Sequence, residues 1–474
     1  MNLILLAGYY FFTGYFIIYC LAFMLQSMGA WTGIPRIRRL FFWQEEEVLA
    51  GPASSLPRLS LLVPAYNEGA TIGPAMKTLL ASRYPDLEIV VVNDGSRDAT
   101  LQVLKDQLDL AEIMPKVRPG LSYQPVLAAY RSRLFPQVIV LDKLNGGKAD
   151  ALNCALAHAT GRLVCAVDAD VLLPQYTLLR AVLPHVDDPD VIATGGMIRL
   201  RNNCDITPER EVVRLPKSLL EKIQVVEYMR SFTLGRAGWD IVNGEVIISG
   251  AFGVFRADLV RNVGGYQRFS VGEDMELVVR LHQYCRETRT PYKVLFVPDA
   301  VCWTEAPDNA RDLFKQRNRW QQGLLSTLLI HRKMLFNPRY GAVGLLVLPY
   351  FLIFELLSPF IEILGLAFTV TCLALGQFTF GRVGLFFLVA LATTLSQTLR
   401  ALWMNLRFFE PYRRTGDVFT LAYAAIMEAC TVHFPMLWVK IRAVVDFFST
   451  SHLKGGWESP RRLEEQPRAR RQES

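Results

Sequence analysis

The sequence predicts an α/β domain fastened to membrane-spanning and interfacial α-helices. Three observations carry that prediction. Hydrophobic residues make up 51% of the chain and charged residues only 20%, yet 51 Lys+Arg and 44 Asp+Glu are too many for a protein built of membrane spans alone. The most apolar runs stand near the two ends of the 474 residues and reach bilayer-crossing length. The stretch between them alternates short β-branched runs with helical segments. A disordered chain, a small disulfide scaffold and a simple soluble monomer are thereby excluded. The net charge of +7, with no basic motif behind it, points to an anionic membrane face or an anionic small substrate and not to nucleic acid. Eight cysteines without a CxxC pair support neither a zinc site nor a disulfide frame, and read as reduced cytosolic thiols.

Residues 3–25 are uncharged and long enough to cross a bilayer as a helix, so 1–30 reads as a transmembrane segment. They lack the basic start and cleavage site of a signal peptide. Arg36, Arg38 and Arg39 follow, which places the N-terminus outside and the next segment in the cytoplasm. A linker from Gly51 to Pro57 leads into a cytosolic domain over 52–308. Within it LSLLVPAYNE, EIVVVNDGS, QVIVLD and RLVCAVDAD read as buried strands, with helices over 70–82 and 148–159. The pattern implies a largely parallel sheet covered on both faces, with its ligand at the carboxyl ends of the strands. Those ends carry Glu68, Asp94, Asp168 and Asp170. Residues 309–336 read as an amphipathic interfacial helix, with Leu313, Trp320, Leu324 and Leu328 on one stripe. A membrane region follows over 342–449, with spans at 342–375 and 383–406. Arg407, Arg413 and Arg414, and a basic tail over 450–474, belong to the cytoplasmic side. A single crossing by 417–449 would put the tail outside. Pro435, Lys440 and Arg442 therefore suggest that this third segment is bent, interfacial or re-entrant, with spanning as the alternative.

Asp168 and Asp170 leave a strand end two residues apart, a spacing that suits a hard divalent ion such as Mg²⁺ or Mn²⁺ shared with substrate phosphate. Alone, such a pair is as readily a loop with capping aspartates. Asp94, in NDGS, offers acceptors to a base or ribose, and is also an ordinary turn residue. Glu68, after PAYN, has the same status. The Asn145–Lys148 run, NGGK, precedes a helix and offers backbone N–H groups, a dipole end and one ammonium to an anion. Gly272, Glu273 and Asp274 open another helix, either as caps or with Asp274 as a general base. Arg319, in QRNRW, could clamp phosphate through its planar fork. Trp320 could stack on a sugar or simply belong to the apolar stripe.

Taken in order, PAYNE, VVNDGS, NGGKADALN, DAD, SGAFGVFR, GED and QRNRW resemble the family 2 glycosyltransferases of GT-A fold. The resemblance is closer to the membrane-embedded group that makes cellulose, hyaluronan, chitin oligosaccharides and poly-N-acetylglucosamine. It covers the whole cytosolic domain, and the tail WESPR is similar to the ends of some poly-N-acetylglucosamine synthases. The resemblance implies that Tyr66, Glu68, Asp94, Lys148, Asp168, Gln316 and Arg319 hold a nucleotide sugar. It implies Asp170, with Asp168, as the metal site for Mg²⁺ or Mn²⁺, and Asp274 as the general base. Ser249, Gly250, Glu273 and Trp320 fall where the family meets the acceptor. The chain departs from the pattern in three places. GED replaces the TED of cellulose synthases, no FxVTxK gating loop is present, and the last 25 residues are short for a cyclic-dinucleotide sensor.

The expected function is an inverting transfer from UDP-glucose or UDP-N-acetylglucosamine to a growing β-linked polysaccharide, with translocation across the bacterial inner membrane. The catalytic domain would be cytoplasmic and the chain multi-pass. The partners would be the UDP-sugar donor, a glycan acceptor, the lipid bilayer, and an accessory membrane subunit or a second copy. Glu355 and Glu362, seven apart in the apolar region, suit a cavity or pathway lining, or an interfacial position near Pro349 and Pro359. A single transfer to a membrane lipid shares the same motifs. A transporter or membrane-anchored sensor would not need them.

Overall fold

The computed structural model describes residues 3–40, 45–51, 56–114, 116–409, 412 and 414–449. The basic tail with WESPR, Arg413 and most of the expected linker lie outside the described residues. Among the described residues eleven strands follow in order. They are β1 (Leu59–Ala65), β2 (Leu87–Asp94), β3 (Leu110–Glu112), β4 (Val126–Ser132), β5 (Val138–Lys143), β6 (Leu163–Val167), β7 (Val191–Leu200), β8 (Asp205–Ile206), β9 (Glu211–Val212), β10 (Phe252–Arg256) and β11 (Lys293–Thr304). Strands β8 and β9 form a small ribbon, and the rest form one sheet of order β11-β7-β10-β6-β1-β2-β5-β4-β3. Its middle, β6-β1-β2-β5, is parallel as the alternating pattern predicts. Strands β10, β4 and β3 run antiparallel to their neighbours, which the apolar runs alone do not reveal.

Alternation along the central strands builds two cores, one on each face. Leu59, Leu61 and Val63 join one, with Ile89 and Val91. Leu62, Val90 and Val92 join the other, packed on the helix Lys148–His158. A one-residue slip would exchange the faces, so burial on both sides fixes the register. That register delivers Glu68, Asp94, Lys143 and Asp168 to the same edge of the sheet.

Eight helices matter to the site and its setting. These are α1 (Leu3–Leu40), α2 (Lys148–His158), α3 (Leu219–Met229), α4 (Glu273–Thr288), α5 (Ala310–Ile330), α6 (Ser358–Ala374), α7 (Phe380–Phe408) and α8 (Thr415–Ser449). The first runs past the expected boundary at 30 to Leu40. At ~1.5 Å per residue it is far longer than the ~30 Å hydrocarbon core requires. Its far end enters the cytosolic core, where Ala30 and Ile34 are fully buried. Gly29 makes that approach possible, because a Cβ there would lie 2.8 Å from the Gly238 carbonyl oxygen. Trp31 and Trp403 stack at 4.6 Å while both remain exposed, as rings at a membrane–water interface do.

One sequence expectation changes in the membrane region, and one is narrowed. The run 342–375 is a bent pair, Val343–Leu356 and α6, meeting at 48°. Ser358–Pro359 sit at the break, where proline cannot donate to the preceding turn. Helix α8 is continuous over 35 residues, with a π-turn at Glu428–Val432 just before Pro435. It is long and apolar enough to cross a bilayer. Both its ends nevertheless touch the cytosolic unit. Leu421 and Ala424 share a cluster with Ile223 and Val226 of α3, and Asn318 of α5 donates to Asp446 at 3.3 Å.

At the end of β5, Lys143 is fully buried between the carboxylates of Asp94 and Asp150, which are also fully buried. Removing one member of such a group leaves uncompensated charge in a dry interior. Lys143→Met should therefore cost about 3–5 kcal/mol of stability. The readout is the thermal unfolding midpoint in detergent, and an unchanged midpoint would show that the two carboxylates do not depend on this ammonium.

Candidate functional site

The strand ends open into one large cavity of about 2670 Å³. Glu68, Lys148, Asp168, Asp170, Ser249, Gly250, Glu273, Asp274, Gln316, Arg319 and Trp320 all line it. The sequence scatters these residues over about 250 positions, and the fold brings them to one cavity. Tyr66 stands at the end of β1 but is not part of the lining.

Asp94 requires a correction. It was expected to offer oxygens to a base or ribose, but it is fully buried and lies outside the cavity lining. Its two oxygens accept the backbone N–H of Gly146 at 3.0 Å and of Gly147 at 2.8 Å, with the Lys143 ammonium beside them. The anion held by the NGGK amides is therefore Asp94, and the expectation that these N–H groups face a phosphate is corrected with it. Gly146 is required by packing, because a Cβ there would lie 2.4 Å from Asp150 Cγ. Gly147 is required by its backbone, at φ +90.

Anchored in this way, the loop projects Lys148 into the cavity. Its Nζ lies 2.6 Å from Asp168 Oδ1 and 3.6 Å from Glu273 Oε1. Burial draws the ammonium down, but Asp168, Glu273 and Asp274 outweigh that pull and hold it above its ordinary value. Burial pushes the Glu273 carboxyl up, and Asp274 adds to this while Lys148 opposes it. The Asp274 side chain is fixed by two backbone donors. Gly250 N–H reaches Oδ2 at 2.9 Å and Met275 N–H reaches Oδ1 at 2.8 Å. Gly250 fills the gap between Lys148 and Asp274, since a Cβ there would lie 3.0 Å from Lys148 Nζ and 3.4 Å from Asp274 Oδ2.

Helix α5 forms the opposite wall. It lies between the cytosolic unit and the C-terminal half of α8, where it is packed more closely than an expected surface helix. Leu313 and Leu328 are buried as the stripe predicts, but Trp320 is 45% exposed to the cavity. Trp320 thus leaves the stripe, because at its level the helix faces open space. Gln316 Oε1 is buried with no partner among the described residues, an acceptor left over for a ligand.

Three participants carried no sequence signal. Arg317 stacks its guanidinium 4.2 Å from the Trp320 ring and donates to Glu227 at 2.5 Å. Arg268, just ahead of GED, pairs with the buried Asp150 at 2.9 Å. Arg230 pairs with Glu428 of α8 at 2.5 Å. The cavity continues past this last pair into the membrane region. There Glu355 faces Lys440 at 3.8 Å and Glu362 meets His433 at 2.9 Å. These two carboxylates stand on opposite sides of the helix break, yet both line the cavity as their spacing suggested.

Comparisons with known proteins bear on the family and the fold. The profile described as "Glycosyl transferase family 2" matches residues 60–260, and "Glycosyl transferase family group 2" matches 163–381. A poly-beta-1,6-N-acetyl-D-glucosamine synthase of Staphylococcus epidermidis is 26% identical over 415 residues, covering 85% of this chain and 87% of that protein. The synthase of Staphylococcus aureus strain COL is 28% identical over 274 residues, 58% of this chain and 56% of that protein. Against the synthase of Staphylococcus epidermidis strain ATCC 35984, 26% identical over 271 residues, the match covers 57% of this chain and 55% of that protein, so the chain spans little more than half the length of that relative. The solved mannosyltransferase of Pyrobaculum calidifontis, in complex with GDP-Man and Mn²⁺, aligns at TM-score 0.53 and 19% identity. It covers 89% of this chain and 98% of that one, which shows the shared GT-A fold.

Arg317, paired with Glu227, lies over the Trp320 ring and fixes it where it lines the cavity. Arg317→Gln should free the ring, raise KM for the acceptor severalfold and leave KM for the donor close to its starting value. Steady-state kinetics with each substrate varied in turn check this. A rise confined to donor KM would remove Arg317 from the acceptor side.

Proposed function

The chain is a membrane-bound family 2 glycosyltransferase, and from that premise we propose an inverting synthase that extends a β-linked glycan from UDP-N-acetylglucosamine and passes it into the membrane. The observation that carries this reading is the continuity of the cavity. Small-molecule sites enclose about 300–1,000 Å³, and this one is larger and runs beyond the carboxylates into the membrane helices. Residues from Ser358 to Thr369 on α6, and from Phe386 to Gln397 on α7, line it, each set separated end to end by eleven helical rises. At ~1.5 Å per residue that is roughly 16 Å, about half the hydrocarbon core. The choice of N-acetylglucosamine rests on likeness to the Staphylococcus epidermidis synthase matched over 85% of this chain.

Asp274 is the proposed base. Held by Gly250 and Met275, it takes the proton of the acceptor hydroxyl as that oxygen bonds to the anomeric carbon. The bond from that carbon to the diphosphate breaks on the opposite face, and UDP leaves. Lys148 and Arg319 neutralise the departing diphosphate. Trp320 stacks on the acceptor sugar, and Gln316 offers its unpartnered oxygen to a hydroxyl.

No cluster of three metal-ligating side chains exists among the described residues. Asp168 and Asp170 nevertheless fit a divalent ion that completes its shell with substrate phosphate, and crowded carboxylates at one strand end suit such a charge. When bound, Mg²⁺ or Mn²⁺ would supply Lewis-acid stabilisation of the diphosphate.

We read α8 as lying along the cytosolic interface, because a helix crossing the core cannot rest both ends on one domain. This reading keeps the basic tail cytoplasmic and removes the conflict between its charge and a crossing at 417–449.

Incubation of purified protein with labelled UDP-N-acetylglucosamine should give high-mass polymer. A single glycolipid would replace this reading with lipid glycosylation, and no transfer from any UDP-sugar would end it. Asp274→Asn should still bind UDP but lose transfer by at least about a hundredfold. Chelation of divalent ions should suppress donor turnover reversibly. Full activity after either change would remove the corresponding role.

A further inference from the structure

A second cavity, of about 550 Å³, lies where the C-terminal end of α4 meets the turn leading into the membrane pair. Arg286, Arg289 and Arg339 line it, together with one carboxylate, Glu287. That carboxylate is already engaged, by Lys333 Nζ at 2.9 Å and by the Tyr340 hydroxyl at 2.8 Å. None of the three arginines forms an ion pair among the described residues. Like charges gathered at one cavity repel, and the carbonyl end of α4 offers only ~0.3–1 kcal/mol toward one of them. The arrangement is thus complementary to an anion.

The cavity is also built to hold its cations in place. Arg286 Nε donates to the Tyr292 hydroxyl at 3.2 Å, and its guanidinium lies 5.6 Å from the Tyr292 ring centroid. Tyr292 is positioned in turn by His282, whose Nδ1 lies 2.9 Å from the same hydroxyl. The terminal nitrogens of Arg286 fit over Gly341, where a Cβ would lie 2.7 Å from Nη2. Gly341 itself stands at φ +60. Arg289 occupies the left-handed cap of α4, at φ 54 and ψ 31, a position that glycine or asparagine fills at lower cost.

Location selects the source of the anion. Arg339 and Gly341 directly precede Val343–Leu356, the first apolar arm of the C-terminal membrane region. The cavity therefore lies at the root of that arm, where the chain leaves the cytosolic domain towards the bilayer surface. Anionic lipid concentrates at that surface, and planar guanidinium forks match phosphate oxygens in pairs. We propose that Arg286, Arg289 and Arg339 bind the phosphate of an anionic phospholipid headgroup, at a site separate from the donor cavity. A lipid held there would tie the end of α4, whose first turn carries Asp274, to the membrane surface.

The test uses the full chain in nanodiscs of phosphatidylcholine with and without phosphatidylglycerol, followed by detergent extraction and native mass spectrometry. The wild type should retain one phosphatidylglycerol. The R286Q/R289Q/R339Q variant should retain about tenfold less, with an unchanged unfolding midpoint and unchanged UDP release in phosphatidylcholine as the check on folding. Should the triple variant fail to fold, R339Q alone, outside α4, should lower retention severalfold. Equal retention by the folded variant, or equal retention of phosphatidylcholine by the wild type, would overturn the site. Inorganic phosphate is the remaining arm. If phosphate alone displaces the lipid at equal concentration, the cavity is a soluble-anion site and the lipid assignment fails.

Discussion

The catalytic edge of this protein depends on one buried ammonium. Lys143 ends β5 with no exposure, and its charge is tolerable only because Asp94 and Asp150 meet it there. Each partner then does a second task. Asp94 gathers the amides of Gly146 and Gly147 and so fixes the loop that aims Lys148. Asp150 accepts from Arg268 and from the Gln124 amide, which brings the turn ahead of GED against the start of α2. A neutral group in place of Lys143 would leave two carboxylates facing each other, and every residue placed by that loop would lose its reference point.

The membrane region is continuous with this edge through polar contacts instead of apolar packing alone. Arg230 reaches from the end of α3 to Glu428 and to the Thr398 hydroxyl of α7, joining three elements around the cavity. Glu355 with Lys440, and Glu362 with His433, repeat the pattern farther in. Unpaired carboxylates at membrane depth are costly. Paired ones facing a wet cavity are tolerated, and they keep that cavity wettable. The same pairs bind α8 to both arms of the bent pair, Glu355 on Val343–Leu356 and Glu362 on α6, so the bend at Ser358–Pro359 is part of the lining and not a defect of a span.

Much of this was legible in the sequence because it is local. Strand ends, the NGGK turn and the helix opening at Glu273 are written in consecutive residues, and each lands where its pattern predicts. Asp94 was misread for a related reason. NDGS announces an acidic strand end but not which way its oxygens turn, and Lys143 lies forty-nine residues away. Trp320 was ambiguous because helical spacing gives a face, not what that face meets. Arg317, Arg268 and Arg230 were silent because their partners, Glu227, Asp150 and Glu428, come from distant elements. The bend near Pro359 and the course of α8 likewise depend on neighbours. Composition shows that such segments are apolar, but not whether they cross.

Glycine ahead of Glu273, where cellulose synthases carry threonine, follows from contact between two backbones. A Cβ on Gly272 would lie 3.0 Å from the Gly323 Cα, and a Cβ on Gly323 equally close to Gly272. The turn carrying Asp274 and the helix carrying Arg319 and Trp320 therefore touch without side chains between them, and behave as one wall. The donor loop belongs to the other wall, held by Asp94. What joins the two walls across the cleft is charged, through Lys148 to Glu273 and Arg268 to Asp150. Under the proposed function a donor diphosphate would compete for those same cations. Its entry would then loosen the cleft by replacing ion pairs, while the apolar cores on both faces of the sheet stay packed.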